Sequence, residues 1–63
     1  MMIVGYRPTV NTTAGVKAIT KHTGVNLGEA RRMIDNAIEG QSVMLDSDWV
    51  LREDLEDSGF IVS

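Results

Sequence analysis

Three short runs of apolar residues, each bounded by turn-forming residues, stand out along this chain. They occupy residues 2–7, which end at Pro8, residues 42–45, and residues 60–62. Short runs of this kind, with β-branched and aromatic residues between Pro, Gly, Ser or Asp, are typical of β-strands. The pattern therefore predicts three strands over these residues.

Between the first two runs, apolar residues recur every three or four positions, which is typical of one side of an amphipathic helix. A first helix is predicted from about residue 14 to residue 22. Thr12 or Thr13 is its expected N-cap, because a side-chain oxygen there can accept a hydrogen bond from a free amide of the first turn. Gly24 is expected to end it in the left-handed conformation.

Asn26 marks the start of a second helix. With Glu29 three residues later it resembles a capping box, in which each side chain bonds the backbone amide of the other residue. Gly40 follows the last apolar position and is expected to end the helix. The apolar stripe, with Met33 at its edge, comprises Leu27, Ala30, Ile34, Ala37 and Ile38.

A third helix is predicted from the acidic segment to Ser58, where Gly59 ends it. Its expected N-cap is one of Asp46, Ser47 and Asp48. Carboxylates and hydroxyls at that position satisfy the free amides of the first turn. The third helix therefore leads directly into the last strand.

Trp49 is the largest side chain in this third helix. Leu51 and Leu55 share one side, and 100° per residue places Trp49 roughly opposite. We nevertheless expect the indole to fold back over residues 43–45 and to be half buried, because exposed tryptophan is uncommon. The alternative is an exposed anchor for a partner.

The predicted order of elements is β-α-α-β-α-β in 63 residues. Three strands and three helices of this size predict an α+β two-layer sandwich, with a three-stranded sheet covered on one face by the three helices. Residues 1–63 are expected to form one domain. A strand near either terminus could lie at a sheet edge and pair with a second copy as a homodimer.

Charge is distributed unevenly along the chain. Residues 1–32 contain five of the six Lys and Arg residues and one carboxylate, whereas residues 33–63 contain eight carboxylates and Arg52. Such asymmetry is typical of solvated faces, and it can also steer an oppositely charged partner. The sequence pI of about 4.8 argues against nucleic-acid binding by the domain as a whole.

Candidate chemistry is sparse. The chain has no cysteine, and His22 is its only histidine, so we predict no metal site and no cofactor. No context singles out a nucleophile, and we therefore expect no enzyme activity. With neither a signal-type leader nor an apolar run long enough for a bilayer, the expected location is cytoplasmic, without membrane contact.

The segment VKAITKHTGVNLGEARRMID, residues 16–35, resembles the helical hairpin of the C-terminal domain of the bacterial ribosomal stalk protein. That family's pattern has Lys-Ala-hydrophobic, then Thr-Gly-Leu-Gly-Leu, then Lys-Glu-Ala-Lys and two hydrophobics. LEDSG at 55–59 is similar to the family's Leu-Glu-Glu-Ala-Gly before its final strand. The resemblance covers nearly the whole chain and implies a free-standing, divergent copy without the family's dimerisation domain and hinge.

That family uses the exposed face of its first two helices to recruit and stimulate translational GTPases. The resemblance therefore implies a non-enzymatic module whose partner is a translational GTPase or another host protein. It would act as a competitor for translational GTPases or as a phage-type inhibitor of a host protein. Carried over by position, the contact face comprises Thr13, Ala14, Gly15, Lys17, Leu27, Glu29 and Arg31. Arg32 and Trp49 complete the predicted partner-binding residues.

An alternative function is suggested by the acidic third helix. A row of carboxylates can imitate a phosphate array and occupy a DNA- or RNA-binding protein. In that case the interacting residues would be Glu53, Asp54, Glu56 and Asp57. Such binding would depend steeply on salt concentration.

Overall fold

The elements of the computed structural model, which describes residues 1–63, follow one another in the predicted order. The bounds are β1 Met2–Tyr6, α1 Thr12–Thr23, α2 Leu27–Ile38, β2 Val43–Met44, α3 Trp49–Asp57 and β3 Phe60–Val62. The predicted α+β class and the three-stranded sheet are confirmed, although β1 and β2 are shorter than the apolar runs that predicted them. No helix combines the length and the apolar character that crossing a membrane requires.

β1 is the central strand of the sheet, whose order is β2-β1-β3. Both neighbours run antiparallel to β1, and Ile3 is opposite Val43 on one side and Val62 on the other. These three side chains are buried beneath the helices. Of the two strands near the termini, β3 therefore lies at an edge of the sheet and β1 does not, because hydrogen-bonding partners occupy both sides of β1.

β3 forms one edge of the sheet, and a charged side chain covers part of it. The guanidinium of Arg52 in α3 donates to the Val62 carbonyl over 3.4 Å, and its Nε lies 3.7 Å from Glu56 Oε1. Charged groups on a short edge strand are a common means of preventing strand pairing between copies. This arrangement opposes the edge-strand homodimer that the sequence suggested.

The core lies between the inner face of the sheet and the three helices, of which α1 packs against both α2 and α3. Phe60 fills its centre and is almost completely inaccessible to solvent. α1 passes close to this ring at Gly15, where a Cβ would lie 2.5 Å from Phe60 Cε2. The buried hydrophobic residues are Ile3, Val16, Ala18, Ile19, Ala30, Ile34, Ala37, Val43, Leu51, Leu55, Phe60 and Val62.

Asn11 caps α1, so the prediction of Thr12 or Thr13 as the N-cap is wrong. Asn11 has an extended backbone, and its Oδ1 accepts from the Ala14 amide at 3.1 Å. Both threonines lie within the helix, which begins two residues earlier than predicted. Asparagine satisfies the cap as well as a hydroxyl does, because its amide oxygen reaches the third amide of the helix.

The other helix ends agree with the sequence more closely. Gly24 closes α1 at φ 76°, as predicted. Asn26 caps α2 by accepting from the Glu29 amide at 2.8 Å, but the Glu29 carboxylate makes no return bond, so only half of the capping box forms. Asp48 is the residue that caps α3, accepting from the amides of Val50 and Leu51 at 2.9 and 3.1 Å.

Candidate functional site

A groove of about 510 Å³ lies between α1 and α2. Its lining positions are spaced by one and four residues along α1 and by three and four along α2, so each helix contributes one face. We call it the α1/α2 groove. Its lining consists of Thr12, Thr13, Val16 and Lys17 from α1, and Leu27, Arg31, Ile34 and Asp35 from α2.

The α1/α2 groove combines an apolar floor with free positive charge. Val16 and Ile34 are buried in the core and form the floor, whereas Leu27 is 54% exposed at one end. Lys17 and Arg31 are exposed, and neither side chain is within 4.0 Å of a carboxylate. Both cations are therefore available to a carboxylate or a carbonyl oxygen of another molecule.

The structure brings together three of the residues predicted for partner binding, since Lys17, Leu27 and Arg31 all line the α1/α2 groove. Glu29 and Arg32 do not line it. Helical rotation places them on the outer side of α2, where Arg32 Nη2 lies 3.8 Å from Glu29 Oε2. An exposed ion pair of this kind contributes little to stability, typically about 0–1 kcal/mol.

The contact face implied by the stalk-domain resemblance is only partly assembled. Thr13 lies in the α1/α2 groove, but Ala14 faces α3 instead. Gly15 is buried against Phe60, so the expectation that it contacts a partner is wrong. The α1 backbone lies against the Phe60 ring at Gly15, so this residue is not accessible to a partner.

The sequence did not predict Thr12 and Asp35 as residues of a binding surface. Thr12 had been assigned to a helix cap, and Asp35 was placed off the apolar stripe. The spacing of four from Leu27 to Arg31 to Asp35 gives these three side chains one face of α2, and it is the signal that could have found Asp35. Its carboxylate adds a negative charge to a groove that is otherwise cationic.

A second, shallower groove of about 370 Å³ separates α1 from α3. Lys17 lines both grooves, because it lies on the ridge of α1 between them. Here it is joined by Lys21 from the same helix and by Asp54 and Asp57 from α3. The basic side of α1 thus faces the acidic side of α3, which gives this groove mixed charge.

His22 lies near the end of α1, and its side chain is mostly buried. Nε2 is 2.7 Å from Asp54 Oδ2, and this bond ties α1 to α3. No third His, Asp or Glu joins the pair in a group that could hold a metal ion. The imidazole therefore acts as a link between helices and does not face the α1/α2 groove.

The bond between His22 and Asp54 also occupies one of the carboxylates proposed as a phosphate mimic. Asp54 is engaged with His22, and Glu56 lies near Arg52. Only Glu53 and Asp57 remain exposed without a cationic partner within 4.0 Å. The four side chains consequently do not form a uniform row of free negative charges.

Trp49 is 71% exposed, so the expectation of a half-buried indole is wrong. It is the first residue of α3, and the Asp48 cap fixes the rotation of this turn. Leu51 and Leu55 then occupy the core, which leaves Trp49 on the opposite side. Trp49 lines neither groove, and it lies apart from Lys17, Leu27 and Arg31.

Comparisons with models of protein families, with curated proteins and with solved structures find no match to this chain. The likeness to the stalk-protein domain therefore rests on the resemblance of the sequence segments alone.

Proposed function

We propose that this chain is a small, non-enzymatic protein-binding module that recognises its partner through the α1/α2 groove. The observation that carries this function is the position of Lys17 and Arg31, two cations without an ion-pair partner on either side of one groove with an apolar floor. Its partner is a translational GTPase or another host protein, which it regulates by competing for or blocking a surface.

The groove suits a peptide segment that carries both apolar and acidic side chains. An apolar side chain would pack on Val16, Ile34 and the exposed part of Leu27. A carboxylate would meet Lys17 or Arg31, and hydrogen bonds between ionised groups are about twice as strong as neutral ones. Apolar contact supplies the affinity, while the charges mainly set specificity and the rate of association.

The absence of catalysis is supported by the position of the one imidazole. His22 is mostly buried between α1 and α3 and is bonded to Asp54, so it is not available to a substrate in the α1/α2 groove. The remaining titratable groups of that groove are Lys17, Arg31 and Asp35. Two cations and a carboxylate on an open surface favour recognition over general acid–base chemistry.

Reversing the groove charges should abolish partner capture. Native protein and the variant Lys17→Glu/Arg31→Glu are immobilised, exposed to cell lysate, and compared by mass spectrometry of the retained proteins. We expect native protein to retain one specific protein at least tenfold more strongly than the variant, because both favourable charge contacts become repulsive. Circular dichroism of both forms checks that the exposed substitutions leave the fold intact.

A matched control is the variant Arg7→Glu/Arg32→Glu, which changes the net charge by the same amount at two exposed residues outside the groove. We expect it to retain the partner as well as native protein does. Equal losses in the two variants would mean that overall charge, and not the groove, governs the interaction. Equal capture by all three proteins would overturn the assignment of the groove.

A further inference from the structure

The α2 wall of the α1/α2 groove carries three kinds of side chain in a fixed order. Leu27, Arg31 and Asp35 are four residues apart, so they lie on one face of the helix at intervals of about 6 Å. All three are exposed and line the groove. An apolar, a positive and a negative position therefore follow one another along this wall.

Arg31 and Asp35 have opposite charges one helical turn apart, yet they do not pair. No cationic group lies within 4.0 Å of the Asp35 carboxylate, and no carboxylate lies within 4.0 Å of Arg31. Within a helix, an acidic residue pairs better with a basic residue four positions after it than with one four positions before it. Arg31 precedes Asp35, which is the less favourable order, so both charges remain available to a partner.

The α1 wall adds its charge in the middle of the groove. Only residues 24–26 connect the two helices, so the start of α1 lies beside the last turns of α2. Lys17 is therefore near Arg31, whereas the uncharged Thr12 lies toward Asp35. The groove thus has two cations in its middle and its one carboxylate at the end that the start of α1 occupies.

The walls of the groove favour a helix as its occupant. Both walls are helices, whose backbone groups bond within each helix, so an extended peptide would find no strand edge to pair with. A helix brings its own backbone hydrogen bonds and can rest an apolar side chain on Val16 and Ile34. Its side chains at every fourth position repeat about every 6 Å, which is the interval between Leu27, Arg31 and Asp35.

We propose that the α1/α2 groove binds an amphipathic helix that carries an apolar, an acidic and a basic side chain in that order, four residues apart. Aligned with α2, this helix places its apolar residue at Leu27, its carboxylate between Lys17 and Arg31, and its Lys or Arg at Asp35. The inference rests on the function proposed above and adds to it the kind of segment that is recognised.

The order of charges in the ligand decides binding. A helix with its acidic and basic residues exchanged would bring a cation to Lys17 and Arg31, where like charges repel. Its middle residue stays in the middle whichever way the helix lies, so reversing its direction does not remove the repulsion. Because composition and net charge are the same for both ligands, a difference in affinity between them reports the order alone.

Two synthetic peptides of about 15 residues test this order. Both are rich in alanine and carry the same hydrocarbon staple on the opposite face, so that circular dichroism shows equal helix content. One has Leu, Glu and Lys at every fourth position, and the other has Leu, Lys and Glu. In titrations followed by amide chemical shifts, we expect the first to bind native protein with a Kd of about 0.1–1 mM and the second at least about tenfold more weakly.

An exchange of charges between protein and peptide locates the contact at Asp35. Asp35→Lys should weaken binding of the Leu-Glu-Lys peptide about fivefold or more, and a peptide with Leu, Glu and Glu should restore it. Glu53→Lys is the matched control, because it makes the same charge change at an exposed residue of α3 that lines neither groove. It should bind the Leu-Glu-Lys peptide like native protein.

Equal affinity for the two peptides of opposite order would overturn the inference, and so would equal losses in Asp35→Lys and Glu53→Lys. Failure of both peptides to bind at about 1 mM would overturn it as well. The proposed function fails on a different result, which is equal capture of lysate proteins by native protein and Lys17→Glu/Arg31→Glu. Specific capture without selection between the peptides would leave that function standing and remove only the ordered helix as its ligand.

Discussion

Gly15→Val is expected to lower the free energy of unfolding by about 3 kcal/mol or more, since overpacking a filled core costs typically 1–3 kcal/mol and occasionally more. The Cβ alone would lie 2.5 Å from Phe60 Cε2 and 3.2 Å from Ile34 Cδ1. Both side chains are almost completely buried, so neither can rotate away into solvent. A domain of this size has only about 3–5 kcal/mol of stability, and most of the population should unfold.

Gly28→Val is the matched control for that substitution. Gly28 also lies in a helix, but a Cβ there would meet only Asn26 Oδ1, at an ordinary 3.5 Å. We expect its free energy of unfolding, measured by urea denaturation, to change by no more than about 0.5 kcal/mol, as for other surface substitutions. Comparable losses at both positions would show that a β-branched side chain is unfavourable in either helix, and that contact with Phe60 does not determine the effect.

Gly59→Ala is expected to cost about 2–4 kcal/mol, the sum of backbone strain and a backbone collision. Gly59 has φ 101°, and a Cβ there would lie 2.8 Å from the Val10 Cα. The segment around Val10 cannot move away easily, because hydrogen bonds hold it on both sides. The Asn11 amide donates to the Ser58 carbonyl and the Arg7 amide donates to the Gly59 carbonyl, each at 2.7 Å. Thermal unfolding should therefore shift downward by roughly 10 °C or more.

Gly24→Ala separates the cost of backbone strain from the cost of the collision with Val10. Gly24 also has a positive φ, of 76°, but no atom lies within 4 Å of the space that a Cβ would occupy. Only the backbone strain should remain, at about 1–2 kcal/mol. If Gly24→Ala and Gly59→Ala lower the melting temperature equally, the collision with Val10 is not a significant contribution.

Gly24 and Gly15 illustrate what the sequence can and cannot predict. Gly24 was placed correctly, because a glycine after an amphipathic segment has a local meaning. Gly15, in contrast, lies within a helix and is needed because α1 approaches the Phe60 ring there. The contact between Gly15 and Phe60 joins residues 45 positions apart, which no local pattern contains.

The order of the elements was predictable because its signals, like that of Gly24, are local in the sequence. Apolar periodicity and Asn, Asp and Gly at helix ends are local signals, and they gave the order and approximate bounds of all six elements. The sheet order was not local, and the central position of β1 had to come from the structure. Trp49 was misjudged because a general preference for burial was weighed above the helical rotation that places it outward.

The candidate site was partly predictable. Lys17, Leu27 and Arg31 were chosen from the hairpin, and all three line the α1/α2 groove. Glu29 and Arg32 come from the same short stretch, but they lie outside the groove because the helix turns about 100° per residue. Which side of a helix meets its neighbour depends on packing, and the sequence alone left that open.

Site-specific photo-cross-linking tests the central claim, that the α1/α2 groove binds a protein, most directly. A photoreactive residue replaces Leu27 in one protein and Val50 in another, at positions that are 54% and 52% exposed. After irradiation in lysate, position 27 should cross-link to the protein that the native chain captures, and position 50 should not. Adducts from position 50 without adducts from position 27 would contradict it and move the binding surface to the start of α3.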